Sequence, residues 1–339
     1  MAYEVTIGIP VYNAAKFIRR AIDSALAQTF SCIEFLILDD CGTDSSIDIV
    51  REYQKTHPRG KDIRIVSQPQ NMGIGEARNR ILDEAQGKYL YFMDADDTIA
   101  PNALELLYNA SQKYDAEIVY GSYKRIEEYS EKTNHIYHKY DPMVFLRENE
   151  FALWVYKDYN NLQAMIWNIL IKTDLYRRNN LHFLHISYLE DLAFTMDLPA
   201  YLTRTVMLND ITYYYYCREG SASRYEKRTR IEKREIEDII SVLNFFKDNS
   251  VLWKDKTFFP QRMRKVLVTC YFVATHIVKN EAVISPPFTK KEIRDVLHLP
   301  AFYLEMFKPG RCMLRNITLY LLGALPPSLS VWLMKIKAR

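Results

Sequence analysis

Short apolar runs alternate with stretches of helical periodicity over roughly the first 120 residues of the chain. Five runs rich in β-branched and aromatic residues are predicted to be strands, at residues 5–10, 34–39, 63–67, 89–93 and 118–120. Between them, apolar residues recur every three or four positions, as at Ile74, Ala77 and Ile81. This alternation predicts an α/β fold, Rossmann-like, with a mainly parallel sheet flanked by helices.

The pattern changes after Gly121. Residues 121–225 are rich in tyrosine and charge and show no clean repeat, whereas apolar stripes of helical spacing dominate from about residue 229 onward, as at Ile236, Ile240 and Leu243. We therefore predict an α/β domain over residues 1–225, with halves at about 1–120 and 121–225, and a helical C-terminal region over residues 226–339.

The composition is typical of a folded protein with a sizeable core. The 339 residues are 48% hydrophobic and 26% charged, and the net charge is only +3, which is too small for a dedicated nucleic-acid binder. Five scattered cysteines form no C-x-x-C pair, which argues against a disulfide framework and a zinc site. The chain opens on a strand-like run without the features of a secretory signal, so a cytoplasmic location is expected.

The segment near the C-terminus permits two interpretations. Residues 313–334 are apolar in patches, but Arg315, Asn316 and the Pro326–Pro327 pair interrupt them too often for a membrane span. Leucines and Trp332 beside basic residues are typical of a helix resting on an anionic membrane surface. A helix packed on the domain, with a basic end, fits the same pattern.

Polar residues follow three of the predicted strands, at the edge where open parallel sheets bind ligands. They are Pro10, Tyr12 and Asn13 after the first strand, Asp39 and Asp40 after the second, and Asp94, Asp96 and Asp97 after the fourth. A carboxylate at position 39 or 40 can accept hydrogen bonds from a base or a ribose. A turn with a helix N-cap explains Thr43 or Asp44 but not Asp39 and Asp40, which precede it.

The acidic run Asp94-Ala95-Asp96-Asp97 concentrates negative charge at the end of an apolar strand. Three carboxylates there repel one another unless they are protonated or bind a cation, and Mg²⁺ or Mn²⁺ fits such a site. A solvated acidic turn before a helix is the simpler alternative, and it is preferred for an isolated D-x-D motif.

Four blocks of sequence, taken in order, distinguish between a metal site and a solvated acidic turn. The blocks 9–13, 37–44, 71–79 and 85–97, within a stretch of roughly residues 4–225, resemble family 2 glycosyltransferases. The resemblance implies an inverting enzyme of GT-A fold that uses a nucleotide-sugar donor and a divalent metal, Mn²⁺ or Mg²⁺. Residues 1–120 would then bind the donor and residues 121–225 the acceptor.

The resemblance also implies roles for individual residues. The donor-binding set comprises Pro10, Tyr12, Asn13, Asp39, Asp40, Arg78 and Asp94, with Asp40 as partner of the base, and Asp96 with Asp94 would bind the metal. Two positions depart from the family pattern: Lys16 replaces a frequent acidic residue, and Cys41 a frequent glycine. Neither change removes a presumed ligand.

The second half carries further matches to the family. Trp167 and Asn168 would lie on the acceptor side, the Glu190-Asp191 pair would supply the catalytic base, with Asp191 preferred, and Arg218 would approach the diphosphate. Each has a structural alternative. A tryptophan is more often core than ligand, an acidic pair at a helix start is favourable charge placement, and an arginine after a tyrosine-rich strand fits an exposed turn.

The expected function is transfer of a sugar, of a UDP-sugar by preference, to a hydroxyl of a glycan or lipid-linked glycan, without nucleic-acid partners. A dehydrogenase is suggested by Gly73-Ile74-Gly75, but Arg78 occupies the third glycine position of that fingerprint. A nucleotidyltransferase would also use paired carboxylates and a metal, but this sequence shows no glycine-rich, lysine-bearing phosphate loop near the N-terminus. A non-catalytic nucleotide-sugar-binding protein is the remaining alternative.

Overall fold

A computed structural model describes residues 3–128, 133–158, 162–186, 189–217, 230–299, 303–310 and 312–338. The chain forms two compact units. The first contains Met1–Glu148, Met165–His185 and Leu202–Tyr225, and the second contains Asn149–Ala164, Ile186–Tyr201 and Glu226–Arg339. The predicted boundary at residue 225 marks the start of the last segment of the second unit. Two segments from the predicted acceptor half, 149–164 and 186–201, group with this unit as well.

The described strands of the first unit form one mixed sheet. In chain order they are β1 (Val5–Val11), β2 (Ile33–Asp39), β3 (Ile63–Ser67), β4 (Tyr89–Phe92), β5 (Thr98–Ile99), β6 (Ile118–Glu127), β7 (Asn134–His138), β8 (Met143–Phe145), β9 (Ile169–Lys172) and β10 (Thr205–Cys217). All five strands predicted from the sequence are confirmed, and β6 continues well beyond its predicted end.

The order of the strands across the sheet is β3-β2-β1-β4-β9-β6-β10-β5. The first four are mutually parallel, β9 runs antiparallel to both β4 and β6, and β10 runs parallel to β6. The short strands β7 and β8 pair with β6 and β10. Since β1, β2 and β4 are parallel, the residues that follow them meet at one edge of the sheet.

Twelve α-helices are assigned in the described residues. They are α1 (Ile18–Leu26), α2 (Ser46–Thr56), α3 (Ile74–Glu84), α4 (Ala103–Tyr114), α5 (Glu150–Asp158), α6 (Thr173–Arg178), α7 (Glu190–Asp197), α8 (Lys233–Asn249), α9 (Phe259–Lys279), α10 (Lys290–Leu297), α11 (Met313–Ala324) and α12 (Pro327–Ala338). In the first unit, α1 buries Ile18, Ala21, Ile22 and Ala25, which lie three or four positions apart.

The second unit is mainly helical, with a small two-stranded sheet of β11 (Ile231–Glu232) and β12 (Ile284–Ser285). The apolar stripes predicted from residue 229 onward form its core, chiefly on α8 and α9. Inside this core, Nη2 of Arg262 lies 2.5 Å from a carboxylate oxygen of Asp197, and Nη1 donates to the Tyr156 hydroxyl at 2.8 Å. Within the part of the chain that the structure describes, no helix is long and apolar enough to cross a bilayer.

Candidate active site

A cleft of about 510 Å³ opens at the carboxyl edge of the parallel strands. Its size suits a small-molecule ligand. Its walls come from the ends of three strands and from the start of α3. Among the residues that line it are Pro10 in β1, Tyr12 and Asn13 after β1, Asp40 after β2, Arg78 on α3, and Asp94 and Asp96 after β4. The structure therefore brings together most of the predicted donor-binding and metal-binding residues.

The loops after β1 and β2 lie close together, and a side-chain hydrogen bond joins them. Oδ1 of Asn13 accepts a hydrogen bond from the Thr43 amide at 2.7 Å. A Cβ on Gly42 would lie 2.9 Å from the Asn13 backbone nitrogen, so this position requires glycine. Cys41 has a φ of 56°, in the left-handed region, which explains why glycine is frequent at this position in the family pattern.

Asp40 is 3% exposed, and its carboxylate is hydrogen-bonded to the loop that precedes α3. Its Oδ1 accepts the Met72 amide at 2.9 Å and its Oδ2 accepts the Gly73 amide at 3.1 Å. A carboxylate has about four acceptor sites. Asp40 can therefore accept a further hydrogen bond from a ligand in the cleft without releasing either amide.

The neighbouring Asp39 has a different environment. Its Oδ1 accepts the Cys41 amide at 3.0 Å and its Oδ2 accepts the Ser67 hydroxyl at 3.1 Å, so it links the ends of β2 and β3. Asp39 is absent from the described residues that line the cleft. The two adjacent aspartates, which the sequence grouped together, differ in their access to a ligand.

Three carboxylates converge after β4. Oxygens of Asp94, Asp96 and Asp97 all lie within 4.8 Å of one another. Asp97 is fully buried, and its oxygens accept from the Tyr213 hydroxyl at 2.8 Å and the Tyr216 amide at 2.9 Å. Burial raises the pKa of Asp97 well above its usual range, and repulsion from Asp96 and Asp94 raises it further despite these hydrogen bonds.

Two arginines border this acidic cluster. Buried Arg78 places Nη2 3.3 Å from Oδ1 of Asp94, which offsets part of the negative charge. Arg20, on α1, donates to the Asp96 backbone carbonyl at 2.8 Å, and its guanidinium lies 3.6 Å from the centre of the Tyr216 ring. Arg20 cannot be recognised from the sequence, because nothing in the pattern of α1 distinguishes it from Arg19.

The residues present fit a hard divalent cation. The ligands on offer are carboxylate oxygens only, as Mg²⁺ and Mn²⁺ prefer. Asp97 already binds two donors of β10, and Asp94 is shared with Arg78. Asp94 and Asp96 line the cleft, whereas Asp97 is fully buried, so the first two are the carboxylates that face the space for a ligand.

Trp167 and Asn168 lie in the interior of the first unit rather than on a surface. Trp167 is 2% exposed and stacks on Tyr213 at a centroid distance of 4.5 Å. The Asn168 side chain is completely buried, donates to the Gly121 and Ser122 carbonyls at 2.7 and 3.1 Å, and accepts from the Tyr91 and Thr212 hydroxyls. With its hydrogen-bonding capacity used in this way, Asn168 has no free group to offer an acceptor.

Glu190 and Asp191 form the first turn of α7, in the second unit. Glu190 is 5% exposed, whereas Asp191 is half-buried. The carbonyl of Asp191 accepts a hydrogen bond from the Thr195 hydroxyl at 2.9 Å, one turn further along the helix. Arg218, the predicted diphosphate contact, lies outside the described residues.

Known proteins are similar to this chain in sequence and in fold. Residues 6–178 match the model of glycosyl transferase family 2. The chain is 29% identical over 237 residues to glycosyltransferase GlyG of Streptococcus pneumoniae, with 67% of this chain and 75% of that protein aligned. It is 33% identical over 166 residues to chondroitin synthase of Escherichia coli, with 49% of this chain but only 23% of that protein aligned.

A solved structure shows the same fold. The crystal structure of S. aureus TarS 1-349 in complex with UDP has a TM-score of 0.59 and 15% sequence identity, and the alignment covers 94% of this chain and 90% of that one. Fold and site together thus define a glycosyltransferase of GT-A architecture that takes its sugar from a nucleotide-sugar donor. The chain belongs to glycosyl transferase family 2.

Proposed function

We propose that this enzyme transfers a sugar from a UDP-sugar to a hydroxyl group of a glycan or lipid-linked glycan, with inversion at the anomeric carbon. The observation that carries the proposal is the shared cleft, in which Asp40 and Tyr12 lie at one set of strand ends and the Asp94–Asp96 pair lies at another. The polymer acceptor is suggested by relatives such as chondroitin synthase.

The donor's nucleoside binds between the loops after β1 and β2. Asp40 accepts a hydrogen bond from an imide N–H of the base, which a uracil offers and a cytosine does not. Tyr12, 52% exposed, provides an aromatic face beside it. Pro10 and Asn13 shape the wall, because Pro10 continues β1 and Asn13 secures the loop to Thr43.

The diphosphate lies at the end of β4. Asp96 and Asp94 would hold a divalent cation there, which when bound supplies positive charge to the leaving nucleoside diphosphate. Arg78 positions the Asp94 carboxylate through their ion pair, and Arg20 fixes the backbone at Asp96. Tyr213 secures the loop by accepting the Asp94 amide and donating to Asp97.

Asp191 serves as the general base that removes the proton of the acceptor hydroxyl, so that the oxygen attacks the anomeric carbon in a single displacement. Of the pair in the first turn of α7, Asp191 is the more accessible, and successive side chains of a helix point about 100° apart. Glu190, being buried, is assigned to the structure of the turn rather than to catalysis.

The first test is a donor panel of nucleotide sugars with Mn²⁺, Mg²⁺ or EDTA, in which glycans and water are compared as acceptors. We expect release of UDP that depends on the metal and on a glycan acceptor. Release of pyrophosphate instead would indicate a nucleotidyltransferase. Donor binding without any turnover, over the whole acceptor panel, would indicate a non-catalytic binding protein.

The second test compares Asp191→Asn with Glu190→Gln, two isosteric changes at adjacent positions. Loss of the base is expected to lower turnover by about 10²- to 10⁴-fold while donor affinity stays unchanged. Glu190→Gln should retain turnover within a few fold of the parent. Collapse of turnover in Glu190→Gln alone would reverse the two roles, and normal turnover in both variants would place the base elsewhere.

A further inference from the structure

The outer face of α12 carries a row of exposed apolar side chains. Leu329, Trp332, Leu333 and Ile336 are 43%, 57%, 37% and 54% exposed, and they follow one another at intervals of three, one and three residues. These intervals place all four side chains on one face of the helix. Leu314 and Leu321, on the preceding helix α11, are 74% and 56% exposed.

The opposite face of α12 is already occupied. Ser330, Val331 and Met334 are buried, and the last two belong to the core of the second unit. At about 100° per residue, these three positions project from the helix on the side away from Trp332 and Ile336. The helix is thus apolar on both faces, whereas a surface helix usually presents polar residues to water.

The stretch of chain that carries this row has charged residues of one sign only. Residues 306–339 contain six basic residues, Lys308, Arg311, Arg315, Lys335, Lys337 and Arg339, and no acidic residue. Lys308, Arg315 and Lys335 are exposed. Nζ of Lys335 lies 2.7 Å from a carboxylate oxygen of Glu281, so one of the six positive charges is already paired. The remaining positive charge complements an anionic surface.

We propose that the outer face of α12 binds the surface of an anionic lipid bilayer. Exposed apolar rows of this kind mark interaction sites. A bilayer is favoured over a second copy of this chain, because two copies would bring two clusters of basic charge together. Trp332 suits the headgroup region, where one end of the indole is wet, and the leucines suit the acyl boundary. This inference does not depend on which sugar or acceptor the enzyme uses.

The test is co-sedimentation of the full chain with vesicles of phosphatidylcholine alone and of equal parts phosphatidylcholine and phosphatidylglycerol. We expect binding to the phosphatidylglycerol vesicles, weaker binding to pure phosphatidylcholine, and release at high salt. The double variant Trp332→Ser, Ile336→Ser should lower the bound fraction at least about tenfold. Both side chains are exposed, so the variant should fold, which its melting temperature checks.

The matched control is Val251→Ser, Leu252→Ser, which removes two exposed apolar side chains, 46% and 63% exposed, elsewhere in the second unit. It should bind vesicles like the parent. Failure of the parent to sediment with phosphatidylglycerol vesicles would overturn the proposal, as would equal binding by the Trp332 double variant. A dimer in light scattering that dissociates in that variant, without vesicle binding, would assign the row to a second copy instead.

Discussion

The aspartates at the end of β2 are surrounded by hydrogen-bond donors, whereas those that follow β4 are surrounded by one another. Asp39 and Asp40 each accept two hydrogen bonds, three from backbone amides and one from a hydroxyl, so neutral dipoles of the protein balance their charge. After β4, three carboxylates lie within reach of one another, and Arg78 is the cation paired with Asp94. Aspartates therefore organise a loop at the end of β2, whereas at the end of β4 they form a cluster whose negative charge a cation would balance.

The largest expected effect concerns the cluster after β4. Asp96→Asn keeps the size of the side chain but removes the charge, so a cation held by Asp96 and Asp94 would lose one of its two proposed ligands. We expect turnover with saturating Mn²⁺ to fall by about 10³-fold or more, since charge on the leaving group is no longer balanced. The measurement is a steady-state UDP-release assay. Parent-like turnover of this variant would remove the metal role of Asp96.

The second prediction compares the donor affinity of variants at Asp40 and Asp39, the pair at the end of β2. Asp40→Asn replaces one carboxylate oxygen with an amide N–H₂, which cannot accept the Met72 or Gly73 amide and offers a poorer partner to the base. Donor affinity should fall by about tenfold to a hundredfold. Asp39→Asn, whose side chain is not among the described residues of the cleft, should change donor affinity only about twofold or less. Equal losses in both variants, at equal melting temperatures, would contradict the distinction drawn between them.

Tyr213→Phe tests how the loop after β4 is fixed. Without the hydroxyl, Asp97 loses a buried donor and the Asp94 amide loses its acceptor. We expect a loss of stability of about 1–3 kcal/mol in urea unfolding, with a severalfold fall in turnover. Tyr214→Phe is the control, because the structure shows no hydrogen bond from its hydroxyl to the described residues. If Tyr213→Phe were as stable as Tyr214→Phe, the hydrogen bonds of the Tyr213 hydroxyl would not be what fixes the loop after β4.

The smallest effect concerns Glu292, whose carboxylate is paired with Lys233 and with the N-cap residue Thr289. Lys233 and the Thr289 amide and hydroxyl lower the pKa of Glu292 from its ordinary 4.5 to about 2. Because the pKa is lowered on folding, this stabilisation is complete above pH 4.5 and is lost as the pH falls towards 2. Glu292→Gln should therefore cost about 1 kcal/mol at pH 7 and progressively less below pH 4.5. A loss independent of pH would contradict this assignment.

Much of the fold could be predicted because the parallel strands are locally recognisable. The apolar runs from β1 to β4 are bounded by polar residues and separated by helical stripes, so their common carboxyl edge follows from the chain order. The roles of Asp39 and Asp40 could not be separated, because their difference depends on which amides of the loop before α3 reach each carboxylate. That geometry is set by tertiary packing and leaves no local pattern.

The predictions for Trp167 and Asn168 show a second limit. Both residues match the family pattern, but their environment is set by β10, more than 40 residues later in the chain, which supplies Tyr213 and Thr212 as partners. Arg20 was missed for the same reason, since its partners Asp96 and Tyr216 come from distant segments. Long-range partners decide whether a polar or aromatic residue is structural or available to a ligand.

The central claim, a divalent cation held by Asp96 and Asp94 beside the donor's diphosphate, is tested most directly by titration calorimetry of UDP with and without Mn²⁺. In the parent, Mn²⁺ should raise UDP affinity by about tenfold or more, because a cation held by Asp96 and Asp94 would offset the negative charge of the diphosphate. In Asp96→Asn, we predict that UDP still binds with the parent's metal-free affinity and gains little from Mn²⁺. An equal gain in both proteins, or no gain in the parent, would contradict the account.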